Sequence, residues 1–458
     1  MAKFRPIAGL CAMRKLLGYL WMMSLPMLTF VSVQTAFIPG SHADTGVFML
    51  NRAAELAREW RRPWFLAQID LKKAFDHVDH RAAFNAMKLQ GIRLPAIALI
   101  AAIWQQSTVQ VSLGQVASDE INMDRGLPQG APESPLIFTM IMEMVIRKLQ
   151  PRWKEQGKGF GIDEFYLSCI CYAGDIVLAA ASVEHLEEMI ADVVAELKQI
   201  GLGIGPEKTH WTSTPPMPDH QLRVMEARVQ WEDNLTFVGT VIDLRGTSGP
   251  AIQYREAQAN KAFHKWRSIL TCGWIPKARR MMLLPKTVWA AFLWSSSTWT
   301  PTQAQWTHIA SWSARQAAKV LRLRRAPWQE IGQWRRFFHK MGHKEIAKYG
   351  VDLVVQCRLR IHSWAGHLAR ATPDNPAAQA LRCRGMQWWR WRQAHHTATK
   401  DKWIGPCPQR FKIRRWEQQV SGIYGDGYSE EVGACTGWLA KAQDRMTWRK
   451  LASAFAGA

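Results

Sequence analysis

Several protein classes are excluded by what this sequence lacks. Its eight cysteines (Cys11, Cys169, Cys171, Cys272, Cys357, Cys383, Cys407 and Cys435) include no Cys-x-x-Cys pair. A zinc ribbon and a disulfide framework are therefore not written here, and the usage fits a reduced, intracellular chain. His339 and His343 have helical i,i+4 spacing but no cysteine pair beside them, so zinc has little support. No repeat of fixed period runs through the 458 residues. With 48% hydrophobic residues, 31 Gly and 22 Pro, the chain is neither collagenous nor disordered, and it can build two or three cores. The second half is short of negative charge. Residues 251–458 hold 35 Lys+Arg against 11 Asp+Glu, whereas residues 1–250 hold 24 against 26.

A globular polycation usually faces nucleic acid or an anionic membrane. Tryptophan follows the same split, with 17 of 24 after residue 250 and many beside arginine, as in Trp266-Arg267, Trp334-Arg335-Arg336, Trp389-Arg390-Trp391-Arg392 and Arg415-Trp416. Arginine neutralises phosphates while an indole stacks on bases, so the interleaving suits nucleic acid. Amphipathic helices with Trp inside and Arg in solvent would give the same pattern. From Leu16 to Ser41, 26 residues carry no charge and follow Arg14-Lys15. That run is long enough to span a bilayer, although Pro26, Gln34 and Thr35 also fit a buried helix followed by a strand.

Periodicity predicts a helix over 46–60 stopped by Arg61-Arg62-Pro63, then a buried strand Trp64 to Ile69 ending at Asp70. Helices follow over 80–105, with a break between Gly91 and Pro95, and a strand over 109–113. A Gly/Pro loop from Arg125 to Pro135 feeds a helix over 136–149. Runs 165–173 and 176–181 meet at Gly174-Asp175, a hairpin signal. An acidic amphipathic helix over 183–199, a strand over 237–242, and long basic helices after Gly249 complete the reading.

Asp70 ends one strand, Asp175 sits at the hairpin tip, and the glycine-rich loop precedes a helix. Carboxylates on adjacent strand ends can share divalent metals, and two metals about 3.5–4 Å apart stabilise both oxygens of an in-line phosphoryl transfer. Mg²⁺ suits such a site because it takes carboxylate and phosphate oxygens and keeps waters. Singly, such an Asp is more often a helix cap and such a loop only a turn.

In order, these segments resemble the reverse transcriptase domain of non-LTR (LINE-type) retrotransposons. Arg5-Pro6-Ile7 and Gln34-Thr35-Ala36-Phe37 resemble two fingers motifs. Gln68-Ile69-Asp70 through Ala74-Phe75-Asp76 matches palm motif A. Gly126-Leu127-Pro128-Gln129-Gly130 through Ser134-Pro135-Leu136 matches motif B, and Tyr172 to Asp175 motif C. Leu202 to Thr209 is similar to motif D and Phe237-Val238-Gly239 to motif E. Trp364 to Arg370, and Ala442 through Trp448-Arg449, resemble segments that follow the polymerase in such elements.

The resemblance implies an α+β right-hand polymerase fold. It would have partial fingers over 1–62, a palm with an antiparallel sheet over 63–245, a helical thumb-like region over 246–350 and a basic Trp/Arg-rich region over 351–458. It implies Asp70 and Asp175 as catalytic metal ligands for Mg²⁺ or Mn²⁺. Leu71, Phe75, Gln129, Gly130 and Lys208 would contact the incoming nucleotide, Phe75 as the gate beside its sugar. Without the family, Phe75 reads as a core aromatic and Lys208 as a solvated cation. The implied partners are an RNA template, a DNA primer and dNTP, in nucleus or cytoplasm. Segment 16–41 becomes a fingers helix, with no membrane expected.

The pattern breaks at Gly174. The family's motif C carries two aspartates there, of which only the second, Asp175, remains. Pro39-Gly40-Ser41-His42 stands where the family places arginine, and Gly205 where it has asparagine. The chain begins at the first fingers motif, which reads as a truncated, decaying copy without an upstream endonuclease. Two readings stay open: an impaired RNA-directed DNA polymerase, or an inactive nucleic-acid-binding protein on the same scaffold.

Overall fold

Residues 64–69 are apolar except for Gln68, the pattern of a largely buried strand. In a computed structural model of the chain they form β1, Trp64–Asp70, the centre of a five-stranded sheet. The structure describes residues 8–31, 33–38, 41–113, 115–162, 165–372, 375–383, 416–425, 427 and 436–457. Arg5-Pro6-Ile7 and the Trp389 to Arg392 run lie outside them. The chain divides into two compact units, Met1–Gly46 with Pro63–Leu235, and Val47–Arg62 with Thr236–Ala458.

In the first unit β1 lies between β3, Asp175–Ala180, and β4, His210–Thr214, antiparallel to both. β2, Cys169–Tyr172, pairs with β3, and β5, Gln230–Trp231, runs parallel to β4. The sheet order is β5-β4-β1-β3-β2. Helices His80–Leu89, Ser134–Glu155 and Val183–Gln199 carry apolar stripes into one core with the sheet. Ile69, Phe138, Ile141, Ile176, Leu178 and Leu186 lie at its centre. The expected strand over 165–173 is two. Phe165–Leu167 pairs with Phe160–Ile162, and β2 begins after Ser168.

The uncharged segment 16–41 is not one long helix. Helix Ala12–Met23 ends before Pro26, whose missing N–H and ring would break it, and the chain continues without helix. Trp21 is buried and its Nε1 donates to the Ala96 carbonyl at 2.9 Å. The Val31 N–H donates to Glu143 Oε1 at 2.7 Å. Gln34 then forms a parallel bridge with Cys171. The Cys171 N–H donates to Val33 O and the Thr35 N–H to Cys171 O, both at 2.9 Å, so residues 33–35 line the outer edge of β2. Among the described residues no helix is long and apolar enough to cross a membrane.

Among its described residues the second unit is helical apart from one hairpin. The expected strand 237–242 is that hairpin, β6, Asn234–Phe237, and β7, Thr240–Asp243. Val238 and Gly239 form its turn, with φ of 46° and 73°. Helices Gln303–Val320 and Ile331–Tyr349 cross at Gly342, where a Cβ would stand 2.0 Å from Ala314 O. Helix Leu353–Ala369 meets helix Arg445–Gly457 the same way: a Cβ on Gly366 would stand 2.4 Å from the Trp448 ring. The tryptophans largely follow the core alternative. Trp289, Trp299, Trp306, Trp312, Trp364, Trp416, Trp438 and Trp448 are buried. Of the arginine-adjacent indoles named above, Trp416 is buried, Trp334 is half-buried and Trp266 is exposed.

Candidate active site

The register of β1 against β3 places Asp70 directly opposite Asp175. The two aspartates are thus cross-strand neighbours at the end of the central strand pair. Lys208 reaches the same point. It ends a short 3-10 turn, Pro206–Lys208, and its Nζ lies 2.6 Å from Asp70 Oδ2. The backbone fixes that approach. The Gly205 N–H donates to Asp70 O at 2.9 Å, the Lys72 N–H to Gly203 O at 2.8 Å, and Leu71 bridges Ile204. Lys208 and Asp70 are both part-exposed, so their ion pair neutralises charge without being locked in a dry core.

Phe75 stacks on Phe138, with ring centroids 4.8 Å apart and planes 21° from parallel. Phe138 belongs to helix Ser134–Glu155, so the glycine-rich loop and the turn after β1 are tied through one aromatic pair. Backbone bonds add to it: the Leu127 N–H donates to Phe75 O at 2.6 Å and the Gly126 N–H to Val78 O at 2.8 Å. Gly126 has φ of 88°, and a Cβ there would stand 2.9 Å from Asp76 O, so glycine is required by conformation and by space. Gln129 Nε2 donates to Asp76 Oδ1 at 2.9 Å. Gly130, with φ of 124°, passes so close to Ala8 that a Cβ would stand 2.7 Å from its carbonyl oxygen.

The hairpin tip is informative. Tyr172 pairs with Asp175, leaving Ala173 and Gly174 as a two-residue loop. Positive φ falls on Ala173, at 54°, and not on Gly174. A turn with positive φ at its first central position favours glycine there, one residue before the glycine this chain has. Nor does packing require Gly174. A Cβ would meet Leu71 Cδ1 and Phe138 Cε1 at 3.8 Å, ordinary contact distances. The site thus has room for a side chain beside Asp175 and carries none.

Some participants have a signal too weak to read from the sequence alone. Asp76 orients Gln129, and His80 Nε2 lies 2.9 Å from Gly126 O. Arg14 pairs with the fully buried Glu133 of the glycine-rich loop. Glu133 stands out only as an acid inside a Gly/Pro run. Cys169 and Cys171 are buried, and a hydrogen bond from Cys169, with burial, holds the Cys171 thiol well above its usual range. Among the described residues no three His, Cys, Asp or Glu side chains converge as a metal-binding group.

A central strand and an adjacent hairpin tip presenting paired carboxylates, flanked by a glycine-rich loop and a lysine-bearing loop, make the palm of a right-hand polymerase. Residues 1–242 match the family model for Reverse transcriptase (RNA-dependent DNA polymerase), more than half of the chain, and the chain belongs to that family. The Retrovirus-related Pol polyprotein from type-1 retrotransposable element R2 of Nasonia vitripennis is 28% identical over 183 residues, 40% of this chain and 17% of that protein. Its counterpart from Bradysia coprophila is 27% identical over 188 residues, 41% and 21% respectively. The matches thus span no more than 21% of these relatives, and they agree with a LINE-type origin. A structure of telomerase from Candida albicans in complex with a TWJ fragment of telomeric RNA superposes with a TM-score of 0.40 at 10% identity, over 66% of this chain and 55% of that one.

Proposed function

We propose that this chain is a reverse transcriptase palm that binds nucleic acid and nucleotide, and whose nucleotidyl transfer is impaired at Gly174. One observation carries the proposal. Asp70 and Asp175 are cross-strand partners, and the neighbouring position that should supply a further carboxylate is a glycine required by neither backbone nor packing. The donor set suits one divalent ion that keeps waters, Mg²⁺ or Mn²⁺, and falls short of two. Asp70 and Asp175 would hold it, and when bound it would stabilise charge on the transferring phosphoryl group.

The rest of the site has assignable tasks. Lys208 swings from Asp70 toward the triphosphate as the nucleotide enters. Phe75, braced by Phe138, bounds the sugar, with Leu71 beside it. Gln129, oriented by Asp76, and Gly130 lie against the nucleotide and template. The substrates are dNTP on a DNA primer paired with an RNA template. A second reading, an inactive nucleic-acid-binding protein, draws on the same glycine and on the polycationic half.

Primer extension on an RNA template separates them, comparing the unaltered chain with Gly174→Asp and Gly174→Asp/Asp70→Ala. Two unit charges about 4 Å apart interact by about 4 kcal/mol at an effective dielectric of about 20, roughly a thousandfold in rate. Gly174→Asp is expected to raise extension by that order, and adding Asp70→Ala to abolish it. Extension by the unaltered chain at the rate of Gly174→Asp would overturn the impairment. Retained template binding with no extension by any variant would establish the second reading.

A further inference from the structure

Between Glu256 and Glu330 the chain has no aspartate or glutamate, and twelve lysines and arginines. Two turns of the second unit come from this stretch. One, residues 271–276, links helices Arg267–Leu270 and Lys277–Leu284; the other, residues 321–330, links Gln303–Val320 to Ile331–Tyr349. Buried Arg280 fastens them together. Its Nε donates to Ile275 O at 3.0 Å, and its Nη1 to Leu270 O at 3.4 Å and to Val320 O. Arg322 adds a second tie. Its backbone is held left-handed at φ 59°, and its guanidinium lies against Gly273, where a Cβ would stand 2.6 Å from Nη1. Arg325 Nη1 closes the second turn on Gln329 O at 2.6 Å.

Each of these fastened turns carries a tryptophan in solvent: Trp274 is 97% exposed and Trp328 is 88% exposed. Nine other tryptophans among the described residues of the same unit are buried, so the unit has ample means of covering an indole. Arg322, Arg324 and Arg325 are exposed beside Trp328 in sequence, and Lys277 and Arg279 follow Trp274. The bonds that fix the turns come from arginines and the backbone, and none of these bonds involves either indole. Water-exposed indoles among arginines, with Glu330 the one acid in either turn and engaged as a helix cap to the Gly332 N–H, match one ligand chemistry. They match an unpaired nucleic-acid strand, whose bases stack on indole faces while its phosphates meet guanidinium groups. A duplex keeps its bases stacked on one another and gives the indoles nothing.

We propose that this two-turn face holds a single-stranded stretch of RNA, its bases on Trp274 and Trp328 and its phosphates on Arg322, Arg324 and Arg325. The choice of RNA rests on the reverse transcriptase reading, whereas the stacking follows from the surface itself.

The test uses the full chain and three fluorescein-labelled probes: a short unstructured RNA, DNA of the same sequence, and an RNA hairpin duplex. Fluorescence anisotropy gives Kd for the unaltered chain, Trp274→Ala, Trp328→Ala, and the two Trp→Phe variants. Each alanine is expected to weaken the unstructured RNA about tenfold, phenylalanine to retain most of the affinity, and the duplex to be unaffected. Arg324→Ala should lower the salt slope by about one. Alanine variants that bind the unstructured RNA like the unaltered chain, or that weaken the duplex equally, would overturn the proposal. Tighter binding of the DNA probe, lost in the same variants, would overturn the assignment to RNA. Failure here leaves primer extension by Gly174→Asp untouched, so it does not count against the palm.

Discussion

His362 gives the second unit a pH dependence that can be worked out in advance. It lies on helix Leu353–Ala369, 2% exposed, stacked on Trp448 with centroids 4.0 Å apart and planes 8° from parallel. Tyr424 and Phe455 close around it at 6.0 and 5.3 Å, and Nε2 has no hydrogen-bond partner among the described residues. Burial among aromatics disfavours the imidazolium and lowers its pKa from 6.5 to about 4. The folded unit therefore refuses a proton that the unfolded chain accepts. Stability is fully present above pH 6.5 and is lost as pH falls from there to about 4. The whole shift corresponds to about 3 kcal/mol, and about 2 kcal/mol of it disappears between roughly pH 7.5 and pH 5. The assay is urea unfolding at those two pH values, followed by tryptophan emission, for the unaltered chain and His362→Phe. Phenylalanine preserves the stack and removes the titration. The unaltered chain should lose about 2 kcal/mol more than the variant on acidification. Equal losses would show that the burial of His362 does not govern this response.

Two glycines that look alike in sequence should behave oppositely. Gly130→Ala forces a Cβ against Ala8 O in a left-handed backbone and should cost more than about 1 kcal/mol, while Gly174→Ala should stay within about 0.5 kcal/mol in urea unfolding. Ala173→Gly should stabilise the hairpin by about 1 kcal/mol, because Ala173 holds the positive φ; a lower unfolding midpoint would contradict the turn assignment. Lys208→Ala should change stability by less than about 1 kcal/mol, since its ion pair with Asp70 is part-exposed. In the Gly174→Asp background the same change should raise KM for dNTP several-fold; an unchanged KM would remove Lys208 from nucleotide binding.

Much of the palm is legible in the sequence because its signals are local. The largely apolar run before Asp70 and the two-residue loop between Tyr172 and Asp175 each fix a strand end, and the register then sets the two aspartates opposite each other. What stays illegible depends on distant contacts. Val238 reads as strand interior because it is β-branched, yet it sits at positive φ in a turn, a conformation that no local rule assigns to valine. The Trp-Arg alternation reads as a nucleic-acid surface along the chain, but winding into helices sends most of the described indoles inward. Trp274 and Trp328 escape because they fall in turns. Nothing local announces that Arg14 belongs with Glu133, 119 residues away.

The segment that edges β2 has a consequence for solubility. β2 is the last strand of its sheet, and an uncovered edge presents unpaired N–H and C=O groups that template pairing with other chains. Residues 33–35 occupy those groups at Cys171. The cover is short, is held by backbone bonds at a single residue of the strand, and is followed by Phe37 in a left-handed conformation that turns the chain away. Detaching it would expose Cys169 to Tyr172, an apolar strand without charge, to intermolecular pairing. Segment 33–35 therefore acts as a guard against self-association, and its loss should appear as aggregation before any loss of helix content.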